Sequence, residues 1–542
     1  MNPTKPWRRN LGLIAALALY TLIVFGMHEA RGATHSGFGS FDDEPSHLVT
    51  GLMFRDYFAA GLPGSPRAFA ENYYVHYPKV GIGQWPPVFY AIEGLWILAM
   101  GESPAALLGL MSLLTALLAT AVFAALRREW NPTSAFLLGV LVCSAPLMQR
   151  MSSVLMTEIP LALFCLLAAL QFGRFMDTAR ARHAFAFAMF AILAILTKGN
   201  ALALGLLPVL AIAFSGQWML LRRPALWISG ALVAVVCAPW YWITVSISAS
   251  TWAGGSSPTI DYASRAGAYY TTGLLAVAGI GTAVFAVLGM FARPVASERG
   301  TWASMLALLL AVILFHCAIP SSIELRHLAL VVAPWILLAG VGLRWMTRRR
   351  AFRTLQLTGV APGLLLAAFF VQSFELPVKD NQGYRQAIAH IVAHPELEHS
   401  RILIASDSKG EGLMIAAGAL AGDRTGRVFL RGTKVLGSST WTGLDYEPAF
   451  ANADEIMAYM AGLPVGVVAL DLSTRRHQWF AHMDMLQALV ETRTDMWEPI
   501  GIFDVFRDGR HFSQALRLYR QIGHEQRPVA PVDFETLYNR TL

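Results

Sequence analysis

Charge is what this chain has least of. Only 14% of its 542 residues are charged and 55% are hydrophobic, where soluble domains carry about 25% charged residues. That shortage excludes a single soluble enzyme and a disordered scaffold. Cysteine is scarce as well: Cys143, Cys165, Cys237 and Cys317 all lie inside apolar runs. No disulfide framework or zinc cluster is on offer, and all four read as small core hydrophobes. The glycines at 410, 412 and 418 make no G-x-G-x-x-G fingerprint, and no internal repeat stands out.

The charge that is present falls unevenly. Residues 1–373 hold 25 Lys/Arg and 14 Asp/Glu, or 39 charges in 373 positions. Residues 374–542 hold 17 and 21, or 38 charges in 169 positions. The first part is membrane-like and basic, the second soluble-like and mildly acidic. The net charge of +7 therefore sets topology and implies no nucleic-acid partner.

Apolar segments near 11–27, 104–126, 133–149, 155–175, 184–197, 199–215, 225–247, 269–291, 301–319, 325–345 and 355–373 predict about eleven membrane-spanning helices. The first follows Trp7-Arg8-Arg9 and reads as an uncleaved helix rather than a signal peptide. With the N-terminus inside, 17 of the 25 Lys/Arg in residues 1–373 fall in short inner segments: Lys5, Arg8, Arg9, Arg127, Arg128, Arg174, Arg180, Arg182, Arg222, Arg223, Arg293, Arg299, Arg344, Arg348, Arg349, Arg350 and Arg353. That matches the positive-inside bias. Counting 86–100 as a span would invert every later loop, so this Trp85-Pro86-Pro87 segment with Glu93 is expected at the outer interface. The stretch 184–215 is too long for one span and is broken only by Thr197-Lys198-Gly199-Asn200, which predicts a hairpin with Lys198 at its outer tip. The odd count places residues 374–542 outside. Their short β-runs at 401–405, 428–430 and 465–470, with helices near 382–394, 409–421 and 475–491, predict a small α/β domain. The expected organisation is a transmembrane module, 1–373, with a long first outer loop at 28–103, followed by an outer domain, 374–542.

Polar groups at the outer rim are candidates for chemistry, because charge at membrane depth is costly. Asp42-Asp43-Glu44 form a local anionic cluster whose like charges raise at least one pKa, as suits a general base or a cation site. Asp43 is equally placed to cap a helix starting near Pro45. Glu158 follows Met156-Thr157 at the outer end of the fourth span. Lys198 and Arg326-His327 add cations on the same face; each could also be an interfacial anchor. Beside them runs an aromatic loop with Tyr73, Tyr74, His76, Tyr77, Trp85, Phe89 and Tyr90. Such a rim fits a charged headgroup whose tail lies in the bilayer.

In order along the chain, these motifs resemble a known family. Asp43-Glu44, Trp85-Pro86-Pro87-Val88-Phe89-Tyr90, Gly101-Glu102-Ser103, Arg127-Arg128, Met156-Thr157-Glu158, Leu196-Thr197-Lys198-Gly199 and Arg326-His327-Leu328 look like the GT-C superfamily of integral-membrane glycosyltransferases. The match is to the branch with protein O-mannosyltransferases, lipid A aminoarabinose transferases and related lipopolysaccharide-core sugar transferases, and covers residues 1 to about 345. The aminoarabinose transferases carry Glu-Lys-Pro where this chain has Gln84-Trp85-Pro86, and Glu158 stands where many relatives have Asp.

The resemblance implies a hexosyl- or pentosyl-type transferase taking a sugar from a polyprenyl phosphate to a lipid, glycan or protein acceptor. It implies a multi-pass inner-membrane protein with its N-terminus cytoplasmic, its C-terminal domain periplasmic, and membrane lipids as partners. Asp43 would be the general base of an inverting attack and Glu158 would position the acceptor or share a divalent metal with Asp43. Lys198 and Arg326 would pair with the departing phosphate, with His327, Arg265 and Glu44 as further substrate or phosphate contacts. A transporter or flippase, a glycan ligase, and a non-enzymatic scaffold are the rival readings. Charges at the rim rather than the midplane disfavour translocation.

Overall fold

The computed structural model describes residues 6–128, 130–253, 258–292, 298–347, 359–422, 427–439, 443 and 445–523. Of the inner-side charges, Lys5, Arg293, Arg348, Arg349, Arg350 and Arg353 lie outside the described residues, as do 355–358 of the last expected span. Two compact units result. One is Met1–Ala30, Gly83–Phe89 and Leu108–Pro377; the other is Arg31–Ile82, Tyr90–Leu107 and Val378–Leu542. The first outer loop thus belongs mostly with the C-terminal segment, and the chain leaves the first unit at Pro377.

In the first unit, helices form at every apolar segment, but many are shorter or more bent than eleven straight spans require. Among the described residues, six helices are long and apolar enough to cross a membrane: Asn10–Glu29, Pro104–Leu126, Glu158–Thr178, Pro224–Val245, Arg299–Ala318 and Leu325–Thr347. Two bent pairs raise this to eight, Pro132–Ser144 with Pro146–Ser152 at 64° and Ile260–Ala278 with Ile280–Phe291 at 116°. Ala181–Ile195, Gly199–Ser215 and Val360–Ser373 are shorter apolar helices. A count of eleven full-length spans is therefore not reached among the described residues. The bends have local causes. Pro146 removes a helical N–H and holds Ala145 at ψ 131°, and Gly279 sits at φ 74°, where a side chain would be strained. The expected single span 269–291 is in fact a corner. The segment expected at the outer interface is a helix over Val88–Met100, 13 residues or about 20 Å, short of a ~30 Å hydrocarbon core.

Close helix crossings depend on small residues. A Cβ on Gly342 would run into the Phe285 carbonyl and the Gly289 nitrogen, and one on Gly289 into the Leu338 carbonyl. Helices Ile280–Phe291 and Ala329–Thr347 thus meet backbone to backbone, as small-residue packing allows in lipid. Gly342→Ala is expected to destabilise the protein by about 1–3 kcal/mol through overpacking. Thermal unfolding in detergent measures this, and an unchanged midpoint would contradict the crossing.

The second unit is built on a sheet. Its strands are β1 (Arg401–Ala405), β2 (Val428–Arg431), the short pair β3 (Gly437–Ser438) and β4 (Glu447–Pro448), β5 (Val465–Asp471), β6 (Trp497–Arg507) and β7 (Arg510–Gln521). Five of them form the main sheet in the order β2-β1-β5-β7-β6. β1 is parallel to β2 and β5, while β7 runs antiparallel to β5 and β6. The parallel strands are buried throughout, as expected where helices cover both faces. Leu403, Leu430, Val468, Leu470, Leu486 and Trp497 form the centre of one core cluster. At the carboxyl ends of β1 and β5, Asp471 Oδ2 accepts from Tyr384 (2.7 Å) and Ser406 (2.8 Å), and Arg507 forks Asp407 at 2.8 and 2.9 Å. Helix Glu44–Ala59 belongs to this unit, with Gly412 leaving room for Pro45.

Candidate functional site

In the first unit, the break between Ala181–Ile195 and the 3₁₀ turn Gly199–Gly205 leaves Lys198 in extended backbone at φ −159°, ψ 140°. Its Nζ donates to Glu158 Oε1 at 2.6 Å. Glu158 opens helix Glu158–Thr178 and is 1% exposed. Arg326 Nε stands 3.9 Å from the same oxygen and also pairs with Glu324 at 2.7 Å. Three residues drawn from distant places in the sequence thus form one group: a buried carboxylate beside two half-buried cations. The amide of Val88 is tied to the same break, donating to the Leu196 carbonyl at 2.9 Å.

His327 lies beside this group but is turned inward. It is 5% exposed, hydrogen-bonds Tyr270 Oη through Nδ1 at 2.8 Å, and stacks on His316 at 4.3 Å. His316 is itself buried, and neither of its ring nitrogens has a hydrogen bond among the described residues. Sequence reasoning passed over His316 because it ends an apolar span with no neighbouring polar motif. Arg265 is not part of the group. It pairs with Asp261 at 3.0 Å on an exposed helix face, with 66% and 74% of the two side chains accessible. Its i,i+4 partner Asp261 holds it there, apart from Glu158, Lys198 and Arg326.

In the second unit, Asp43 occupies the N-cap position of helix Glu44–Ala59, yet its side chain makes no capping hydrogen bond. The capping role expected for it is therefore not what its carboxylate does. Glu44 is fully buried, accepting from Lys379 Nζ at 2.6 Å and from the Ser40 amide at 2.8 Å. Both of its oxygens, expected at the substrate, have partners inside the protein. Burial raises the pKa of Asp42, Asp43 and Asp407 raise it further, and Lys79 and Lys409 oppose the shift. Lys79 is completely buried, donating to Ser408 Oγ at 3.3 Å. Burial, reinforced by Arg431, pulls its pKa down to about 7 against the pull of Glu411, Asp42 and Asp43. Arg431 and Glu411 are a buried pair at 2.8 Å, with Thr433 donating twice more to Glu411. An acidic motif set among buried cations is the character of this half.

Glu93, on the helix Val88–Met100, is wholly buried, its carboxylate against Gly51. Neither oxygen has a hydrogen bond among the described residues. Among those residues no three His, Cys, Asp or Glu side chains gather as a metal-binding group. Glu158, one half of the expected metal pair, has its Oε1 engaged by Lys198.

Solved structures decide the architecture. Over 94% of this chain and 98% of the other, the fold matches ArnT from Cupriavidus metallidurans in the apo state, with a TM-score of 0.56 at 13% identity. The same enzyme bound to undecaprenyl phosphate matches at 0.51 and 15%, over 95% and 98% of the two chains. Both ArnT and the archaeal AglB below are GT-C proteins. The chain has the GT-C fold. The oligosaccharyltransferase AglB from Archaeoglobus fulgidus, in complex with an inhibitory peptide and a dolichol-phosphate, matches at 0.54 and 11%, over 99% of this chain and 77% of that one. No protein-family profile and no curated protein sequence matches. At such identities the likeness carries the GT-C architecture and no residue's role.

Proposed function

We propose that this GT-C protein is a polyprenyl-phosphate-dependent glycosyltransferase acting on the periplasmic face of the inner membrane. The observation that carries the reading is the group of buried Glu158 with half-buried Lys198 and Arg326 in a fold shared with a protein solved with undecaprenyl phosphate. A carboxylate that pre-orders two cations reserves a place for an anion. On arrival of the donor, Lys198 and Arg326 turn to the phosphate, whose charge grows as the bond from the anomeric carbon to its oxygen breaks. The acceptor hydroxyl, of a lipid, glycan or protein, attacks that carbon from the opposite side. Asp43 takes its proton, and the sugar, a hexose or pentose, inverts. Glu158 holds the cations between turnovers and helps orient the acceptor. A glycan ligase is the second reading, favoured by the match to AglB along nearly the whole chain.

Sugar and acceptor are identified by mass spectrometry of envelope glycolipids and glycoproteins from a strain lacking the protein. Loss of one sugar from one class of molecule supports transfer, and an unchanged envelope opposes it. The orientation makes its own prediction. Reporter fusions at Arg350 and Phe374 should read cytoplasmic and external respectively. A cytoplasmic reading at Phe374 would put the acidic motif's partner segment on the wrong side of the membrane.

A further inference from the structure

A buried cation from residues 374–542 faces the acidic motif. Lys379 is 1% exposed, its Nζ 2.6 Å from Glu44 Oε1 and 4.8 Å from the Phe38 ring centroid. The backbone on both sides is fastened as well. Gly37 N donates to the Asn381 carbonyl at 2.7 Å, Asn381 N to Ser36 Oγ at 2.9 Å, and Asn381 Nδ2 to Ser40 Oγ at 3.1 Å. Ser40 N in turn donates to Glu44 Oε2 at 2.8 Å. Asp43 lies between these two anchored residues, at a helix N-cap its carboxylate does not use for capping.

A buried ion pair is a poor device for stability alone, since desolvating two charges offsets most of their attraction, and an apolar pair of the same volume often does as well. What such a pair supplies is direction: a short charge-assisted contact fixes one geometry. The residue next to a general base is where direction matters, because a displacement of about 1 Å costs on the order of 10²-fold in rate.

We propose that Lys379 is a positioning residue for Asp43: by holding Glu44, it orients the neighbouring carboxylate toward the acceptor hydroxyl. The C-terminal domain is thereby part of the acceptor side of the site. This inference rests on Asp43 being the base.

The test uses the purified full-length protein with radiolabelled undecaprenyl-phosphate hexoses and pentoses, and a lipid and glycan extract of its own membranes as acceptor. Lys379→Met should lower kcat about 10- to 100-fold, the range of a misplaced catalytic group, and leave the donor KM within about twofold. Lys379→Arg, which keeps charge and reach, should restore most of the loss. In an Asp43→Asn background, Lys379→Met should cost nothing further, because residues acting as one unit are non-additive. If Lys379→Met does not fold, the double variant Lys379→Met/Glu44→Leu removes both charges together and should show the same kcat loss. Unchanged kcat in the folded variants, or an equal cost with and without Asp43, would overturn the positioning role. Full activity in Asp43→Asn would instead sink the base assignment itself, so the two failures are distinguishable.

Discussion

Replacing Asp43 by Asn should cut sugar transfer by about 10²- to 10⁴-fold, the usual contribution of a general base, while donor binding stays intact. Asn is as good an N-cap as Asp, and the Asp43 side chain makes no capping hydrogen bond that could be lost. Asp42→Asn should cost less than about tenfold, below the range of a lost general base. Burial raises its pKa and favours the neutral form that Asn imitates. Initial rates with saturating donor, together with a donor-binding isotherm for each variant, separate the two. Equal losses, or a loss with Asp42 alone, would move the base by one residue. No loss with either would move it to Glu158.

Lys198→Ala should lower kcat/KM for the donor by about 10²- to 10³-fold, the scale seen when one donor to a developing anion is removed. The variant also takes from Glu158, 1% exposed, its 2.6 Å cationic partner, with Arg326 3.9 Å from the same oxygen. Acceptor KM should stay within about twofold if Lys198 touches only the phosphate. Lys198→Arg should retain part of the activity, since a guanidinium binds phosphate but with different geometry. Donor kinetics indistinguishable from the parent would reduce Lys198 to an interfacial anchor.

Much of this architecture is written locally in the sequence. Apolar runs become helices, and the Thr197–Asn200 interruption becomes a break that exposes Lys198 to Glu158. The buried strands at 401–405, 428–431 and 465–471 stand out because each holds a short apolar core, at 402–405, 428–430 and 467–470. β6 and β7 were missed. Their half-exposed faces carry Arg, Asp and His, which blur the alternation. The Asp508-Gly509 pair, at φ 48° and 79°, is nonetheless a hairpin signal that could have exposed them. The bend at Gly279 was illegible because one positive-φ glycine leaves hydropathy unchanged. The ion pair of Glu44 was illegible for a different reason: its partner Lys379 is 335 residues away, and only the tertiary fold brings the two together. His316 was hidden the same way, its stacking partner His327 lying across a helix break.

The central claim is that this protein breaks a sugar–phosphate bond on a lipid carrier and makes a glycosidic bond. The most direct measurement incubates the purified protein in lipid nanodiscs with radiolabelled undecaprenyl-phosphate sugars and a membrane glycolipid and glycoprotein extract, with Asp43→Asn as control. The account predicts label moving from the polyprenyl carrier to an acceptor, with inverted anomeric configuration, and none moving with the variant. Label that stays on the carrier across all hexoses and pentoses, or that transfers equally well with Asp43→Asn, would contradict it.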